Sequence, residues 1–519
     1  MKIVIENGKI TSIEGKNECW AGDAPPNEGN RYLIWFMNSS SNTILKSQNV
    51  LEAPGLWIIL QTDNDSAEIR GSARIACELY FGIEGTKLWI SDTSTKSTLD
   101  YCALTQFITT GEHPRWRTYW ENVFQLPPGG TLLAKWTKNK IKLTMKNPLY
   151  EDYRVNPEMS PQQLALQIRQ INEEGILLFA KNLVHSGKRA LIALSGGIDS
   201  TILYVLLDKL AKNQFPELGN LLEALVVSIP KNTIVDETKF AQLASRNGSI
   251  PLNITELSPK ELPNKFNEIV RGYLWPTIGS SFYAQWVLFE WAKQNGFDEV
   301  VFGLGVIGNA LGEKYRNLYK YIKHFVFQGK FAIAAGLIQK LDIKTMGYNF
   351  IFQRGKMKKS TLTSKFHNHL NDHLEKPIGI EGLIFWQSFH AETLRERERI
   401  ANYFNLKFQT PIADNRLVRA ALSLSPDRKF GPGWMKYPLR IAFKDILPPE
   451  IVWRKDKKGF FLPEQTWFSA SLKNWVQERW DSIEIIGNFV KLPKKPHKLN
   501  PGLIWRILVA EEFAQNQNR

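Results

Sequence analysis

At roughly 100–200 residues per domain, a chain of 519 residues predicts about two to four domains and at least one large core. Hydrophobic residues at 43% and charged residues at 23% sit near the averages of soluble globular proteins, which excludes wholesale disorder and an extended coiled coil. The 66 basic side chains outnumber 51 acidic ones for a formal net charge of +15. That balance favours acidic partners such as nucleotides, pyrophosphate or an acidic peptide, and it does not demand nucleic acid.

The chain opens with MKIVIENGKI, whose apolar run is cut off by Glu6 and is too short for the core of a signal peptide. No stretch approaches about 18 uninterrupted apolar residues, so no membrane partner is expected and the protein reads as cytoplasmic. Its 3 cysteines, Cys19, Cys77 and Cys102, form no CxxC pair and have no histidines at metal-ligand spacing, which argues against a disulfide framework or a structural zinc site. Residues 1–145 are β-rich. GLWIILQTDND, ACELYFGIEGTKLWISD and GGTLLAKWTKNKIKLTM are β-branched and aromatic runs between Gly, Asn, Asp and Pro clusters, the pattern of a sandwich. A polar, proline-bearing linker is placed at 146–165, around the point where PQQLALQIRQINEEGILLFAKNLV takes up helical periodicity. Beyond it RALIAL, EALVVSI and DEVVFGL alternate with STILYVLLDKLAKN, DETKFAQLASRNG and SSFYAQWVLFEWAKQNG. Strands alternating with helices of that length imply a parallel α/β sheet with right-handed crossovers.

The sharpest local signal is ALSGGIDSTILY, where a strand ends at Leu194 and a helix begins near Asp199. Free backbone N–H groups at a helix start attract phosphate, and glycine lets the main chain approach closely and turn tightly. Gly196 and Gly197 supply that approach, Ser195 and Ser200 carry hydroxyl donors, and Asp199 can coordinate the magnesium that accompanies ATP. The blander reading is a glycine turn with a serine cap. No GxxxxGK[ST] occurs, so kinase-type or GTPase phosphate cradling is not indicated.

SGGIDS resembles the SGGxDS loop of the N-type ATP pyrophosphatases, and the wider pattern resembles their asparagine synthetase branch. ENVFQLPPGGTLLAKW is similar to the close of that family's N-terminal domain. VDETKFAQLASRNG, SSFYAQWVLFEWAKQNG, QTPIADNRLVRAALSLSP and WMKYPLRIAFKDILPPEIVWRKDKKGFFLPEQTWF resemble later segments in order and spacing. The resemblance implies an α/β synthetase domain over 166–519. It implies a β-rich domain over 1–145 like a degenerate class II glutamine amidotransferase, an Ntn-type sandwich. It further implies ATP and Mg2+, cleavage of ATP between the α and β phosphates, a carboxylate activated as an acyl-adenylate, and an amine that displaces AMP. Lys457 in KDKKGF aligns with the family lysine on the α phosphate and the developing oxyanion, while Lys455 and Lys458 read as a solvated turn. Asp236 and Glu237 either meet the nucleotide or cap the next helix; Asp414 in PIADNR reads as structural.

The sequence departs from the family in two places. Where the amidotransferase carries a cysteine nucleophile after Met1, this chain has Lys2, so no glutaminase activity is expected of the N-terminal domain. FGLGVIGNALGEKYR stands in place of an acidic loop. Matching on Tyr315 puts Val306 at the base position and Asn309 at the metal-binding Asp; matching on Gly303 puts Leu304 and Ile307 there. Gly303, Gly305 and Gly308 spell GxGxxG, but no acidic residue stands about 20 positions on, where Gln328 lies, so a nicotinamide site is not supported. His367, His369 and His373 lack the carboxylate pattern of a hydrolytic zinc site, and RGKMKKS and KLPKKPHK read as solvated turns.

Relatives without the thiol include β-lactam synthetases and lasso peptide cyclases, and the stretch from PIADNR through KYPLR to WRKDK is most similar to the lasso cyclase version. That resemblance implies a macrolactam synthetase joining a precursor peptide's N-terminal amine to an Asp or Glu side chain. Its partners would be the precursor with its leader, a leader-binding protein and a leader peptidase. An insertion from Asn317 to Ser364 is a candidate lid. Alternatives are an asparagine- or β-lactam-type ligase acting on a small amino acid, and a catalytically silent binding protein.

Overall fold

The computed structural model describes residues 2–7, 9–14, 31–37, 56–63, 65–71, 79–91, 97–111, 113–114, 117–126, 130–138, 140–146, 155–156, 158–229, 236–303, 311, 318–339, 392–454 and 462–518. The chain divides into two units. One comprises Met1–Ala103, His113–Arg154 and Phe385–Arg395, the other Leu104–Glu112, Val155–Ile384 and Glu396–Arg519.

The first unit is built from period-two alternation. One antiparallel sheet has the order β2 (Lys9–Glu14), β1 (Lys2–Glu6), β7 (Lys87–Ser91), β6 (Leu79–Glu84), β8 (Phe124–Leu126). The second runs β10 (Lys140–Lys146), β9 (Thr131–Thr137), β5 (Ser66–Gly71), β4 (Leu56–Asp63), β3 (Arg31–Met37). Along β9, Leu132, Ala134 and Trp136 are buried while Lys135 and Thr137 are exposed, as expected of strands with one solvated face. Ile3, Ile5, Leu88 and Ile90 of one sheet share a single apolar core with Ile69, Leu132 and Trp136 of the other. The sandwich read from the sequence is therefore present, and Trp136 Nε1 ties its layers by donating to the Thr86 carbonyl at 2.9 Å. Gly85, at φ 63°, makes the tight β6–β7 turn that a side chain would strain. Lys2 sits in β1, opposite Glu14 and Ser91, with its ammonium 5.7 Å from the centre of the Trp89 ring.

The second unit holds an all-parallel sheet in the order β13 (Leu252–Glu256), β12 (Leu222–Ser228), β11 (Ala190–Ala193), β14 (Glu299–Phe302), β15 (Lys407–Gln409). All residues of β11 and β14 are buried, the signature of strands covered on both faces. After β11 the chain moves outward through β12 and β13, then returns to place β14 on the other side of β11. The order thus reverses between β11 and β14, the kind of switch point at whose C-terminal side open α/β sheets bind ligands.

Helix Pro161–Ser186 leads into β11. Proline at its start costs no hydrogen bond, Ser160 and Gln163 form a reciprocal capping box, and Gly187 ends it in the left-handed region at φ 63°. Among the described residues, no helix is long and apolar enough to cross a membrane.

Candidate active site

The reversal point is occupied by Leu194–Gly197 and the start of helix Ile198–Asn213. Strand and helix begin and end within a residue of the positions expected from ALSGGIDS. Gly196 has φ 65°, and a Cβ there would run into the backbone of Phe240, at 2.6 Å from the amide nitrogen of Ala241. Gly303, which ends β14, is equally constrained, since a Cβ would lie 2.5 Å from the Ser200 nitrogen and 2.6 Å from the Asp199 carbonyl carbon. Gly196 thus lets the loop close against helix Thr238–Ser245, and Gly303 lets the end of β14 close against the first turn of helix Ile198–Asn213.

The serines shape this loop. Ser200 Oγ donates to the Gly197 carbonyl at 3.1 Å and accepts from the Ser195 amide at 3.2 Å, and the two hydroxyls lie 3.2 Å apart. Thr201 Oγ1 also donates to Gly197 O, at 2.8 Å. Gly197 caps the helix without a side-chain bond. Thr201 N returns to Gly197 O at 3.0 Å, whereas the N–H groups of Ile198, Asp199 and Ser200 find no acceptor among the described residues. Three adjacent donors at a positive helix end are an arrangement that attracts anions.

Asp199 stands in that first turn, and its Oδ2 accepts from Lys436 Nζ at 2.6 Å, with both side chains almost fully buried. Oδ1 accepts no hydrogen bond among the described residues. The sequence reading missed Lys436. It comes from Tyr437–Phe443, a helix whose preceding lysine takes φ 56°, ψ 33°, a conformation unfavourable for any residue with a Cβ.

Of the two roles that the sequence allowed Asp236 and Glu237, the structure shows the capping one, at Asp236. Asp236 Oδ1 accepts from Thr238 N at 3.1 Å and Thr238 Oγ1 at 2.6 Å, fixing the turn before helix Thr238–Ser245. Glu237 accepts from Arg454 at 2.8 Å in a buried pair, and that guanidinium lies 3.5 Å from the centre of the Phe240 ring. Asp414 caps helix Asn415–Ser423 through Arg416 N at 2.7 Å and binds the Arg416 guanidinium, a structural arrangement. Behind the loop, Tyr204 donates to Ile250 O at 2.7 Å; burial, and then the nearby Asp208 charge, push its hydroxyl up to about 12.

Lys457, Val306, Asn309 and the histidines at 367, 369 and 373 lie outside the described residues. Among the described residues, no group of three or more His, Cys, Asp or Glu side chains converges as a metal cage.

The sequence profile of the asparagine synthase family matches residues 180–485, which is more than half of the chain. The chain belongs to this family. The matched span runs from inside helix Pro161–Ser186, through the loop at 194–201 and Lys436, past Arg454. Members of the family are ATP-dependent ligases. No curated protein matches the chain.

Proposed function

We propose that this chain forms an amide bond by adenylating a carboxylate, and that carboxylate and amine belong to one precursor peptide. The observation carrying the first half is the pairing of three helix N–H groups that have no acceptor among the described residues with the buried Lys436–Asp199 couple at the sheet's reversal point. The donors hold the pyrophosphate end of ATP. The carboxylate oxygen attacks the α phosphorus, the bond to the bridging αβ oxygen breaks, and pyrophosphate leaves. The amine then attacks the acyl carbon, gives up a proton, and AMP departs with the C–O bond electrons. Lys436, with Lys457 on its own segment, supplies the positive charge that offsets negative charge accumulating on the phosphates.

Magnesium suits Asp199 as one carboxylate ligand, through the Oδ1 that accepts no bond; phosphate oxygens and water make up such a shell. The ion neutralises phosphate charge when bound. Asn309 is the proposed second ligand from the protein.

The peptide substrate rests on the similarity of residues 411–457 to lasso cyclases and on Lys2 in place of a thiol, which leaves the attacking amine to come from the substrate. Ring closure then depends on a site that holds both ends of the peptide together. A leader-binding protein and a leader peptidase are the proposed partners, and the first unit is proposed as an amidotransferase-like scaffold.

Incubation of the full chain with MgATP and a leader-freed peptide having an acidic residue near its amine tests this. AMP, pyrophosphate and a product lighter by one water are expected together. Turnover of free aspartate with none of the peptide would assign the small-molecule ligase instead, and ADP formation would overturn the adenylate chemistry.

A further inference from the structure

Lys436 is held in a strained backbone conformation, and such conformations persist only where the surroundings over-determine them. The structure shows what does so. On the C-terminal side, Arg440 Nε donates to Met435 O at 2.8 Å and its guanidinium packs 5.2 Å from the centre of the Trp434 ring. On the N-terminal side, Trp434 N closes back on Phe430 O at 2.7 Å, and Gly431, at φ 46°, lets the Tyr437 ring settle on it. This segment, Phe430–Trp434, is gripped from outside by a helical hairpin, Leu318–Phe327 and Phe331–Gln339.

The grip has three parts. Tyr321 and Phe325, both fully buried, pack on Phe430 with ring centres 4.9 and 5.4 Å away. Gly336 meets Pro432 and Gly433 so closely that an added Cβ would stand 3.0 Å from Pro432 O and 3.1 Å from Gly433 Cα. Gly433 itself is at φ 86°, with Leu337 N 2.8 Å from where its Cβ would be. Lys330 binds Asp427 at 3.1 Å. Burial works to raise the Asp427 carboxyl, but hydrogen bonds from Lys330 and Ser425 outweigh it and hold the group below its ordinary range.

We propose that this hairpin is a positioning element: its contacts with Asp427, Phe430 and Gly433 set where Lys436 delivers its ammonium, far along the chain from the SGGIDS loop. The inference rests on the reading that Lys436 meets nucleotide phosphate. Packed side chains with few alternative arrangements transmit such a constraint, and a double-mutant cycle measures it.

The test uses the full chain and the magnesium complex of α,β-methylene-ATP, which is not cleaved between those phosphates. Lys436→Gln should weaken binding by about tenfold, since a charge-assisted contact is lost. Gly336→Ala, which presses on the segment from within, and Asp427→Lys, which breaks the ion pair at the surface, should each weaken binding several-fold. The charge swap Lys330→Asp/Asp427→Lys should return the affinity to near that of the unaltered chain. In the Lys436→Gln background both single changes should lose most of their effect, because the group they position is gone. General damage to the fold would instead add in full, and that result overturns the proposal, as does unaltered binding by both Gly336→Ala and Asp427→Lys. Either leaves the ATP reading standing provided Lys436→Gln is weakened. If Lys436→Gln binds as tightly as the unaltered chain, the ATP reading falls and takes this proposal with it.

Discussion

Gly196 shows how much a single missing methyl group matters here. Its φ of 65° disfavours any L side chain, and the Phe240 backbone fills the place a Cβ would take. Gly196→Ala should therefore cost about 1–3 kcal/mol locally and weaken MgATP binding at least tenfold, read by calorimetric titration, while the sandwich unit is unaffected. The tight turn at Gly196 was legible in the sequence because a strand–glycine–helix junction calls for a residue that tolerates positive φ. The bonding of the serines was not. A sequence shows two hydroxyls available to phosphate, whereas Ser200 spends its proton on Gly197 O. Lys436 escaped notice because WMKYPLR entered the reading only as part of a longer family-like segment in which Lys457 drew the role of the active-site cation. The usable signal was a lone lysine inside an otherwise apolar, glycine-rich run, FGPGWMKYPL, which is an odd place to leave a charge unless something buried answers it.

Among the elements, strands buried on both faces announced themselves as continuous apolar runs, which is why β11, β12 and β14 could be placed from RALIAL, EALVVSI and DEVVFGL. The flanking strands gave no such signal: β13 is half-exposed along most of its length, with Ile254 facing solvent, and β15 has only 3 residues. What fastens the β13 side is a carboxylate. Asp208, on helix Ile198–Asn213, accepts from Ser249 N, from Ser249 Oγ at 2.8 Å and from Ile250 N at 3.3 Å, and pairs with Lys212 at 2.6 Å. Burial tends to raise its carboxyl, but Lys212 and the Ser249 and Ile250 donors prevail and lower it. A lowered folded value means that this group stabilises the fold above its unfolded value of about 3.9, and that the contribution fades as pH falls below about 4 through the folded value. Asp208→Asn should remove about 1–3 kcal/mol at neutral pH, because buried amide donors lose a charged acceptor. Chemical denaturation at several pH values should find the gap between variant and parent narrowing in acid; an equal gap at every pH would contradict this account.

For the whole molecule, the sandwich has an apolar core of its own, and the SGGIDS loop and Lys436 both belong to the other unit. A ligand present at about 100 times its dissociation constant adds about 2.7 kcal/mol to whatever opening exposes its site. Hydrogen exchange with saturating MgATP should therefore slow by about a hundredfold in residues 194–201 and across β11 and β14, with β9 and β10 unchanged; slowing confined to the sandwich would place the nucleotide elsewhere. The chain is also interleaved. Leu104–Glu112 belongs to the synthetase unit although the residues on either side of it belong to the sandwich, and Leu104, Phe107 and Ile108 are wholly buried. A recombinant half beginning at Val155 would thus lack residues 104–112, which group with its own body. The sandwich cannot be lifted out and replaced as a cassette, and shuffling between relatives has to carry residues 104–112 along with the partner to which they belong.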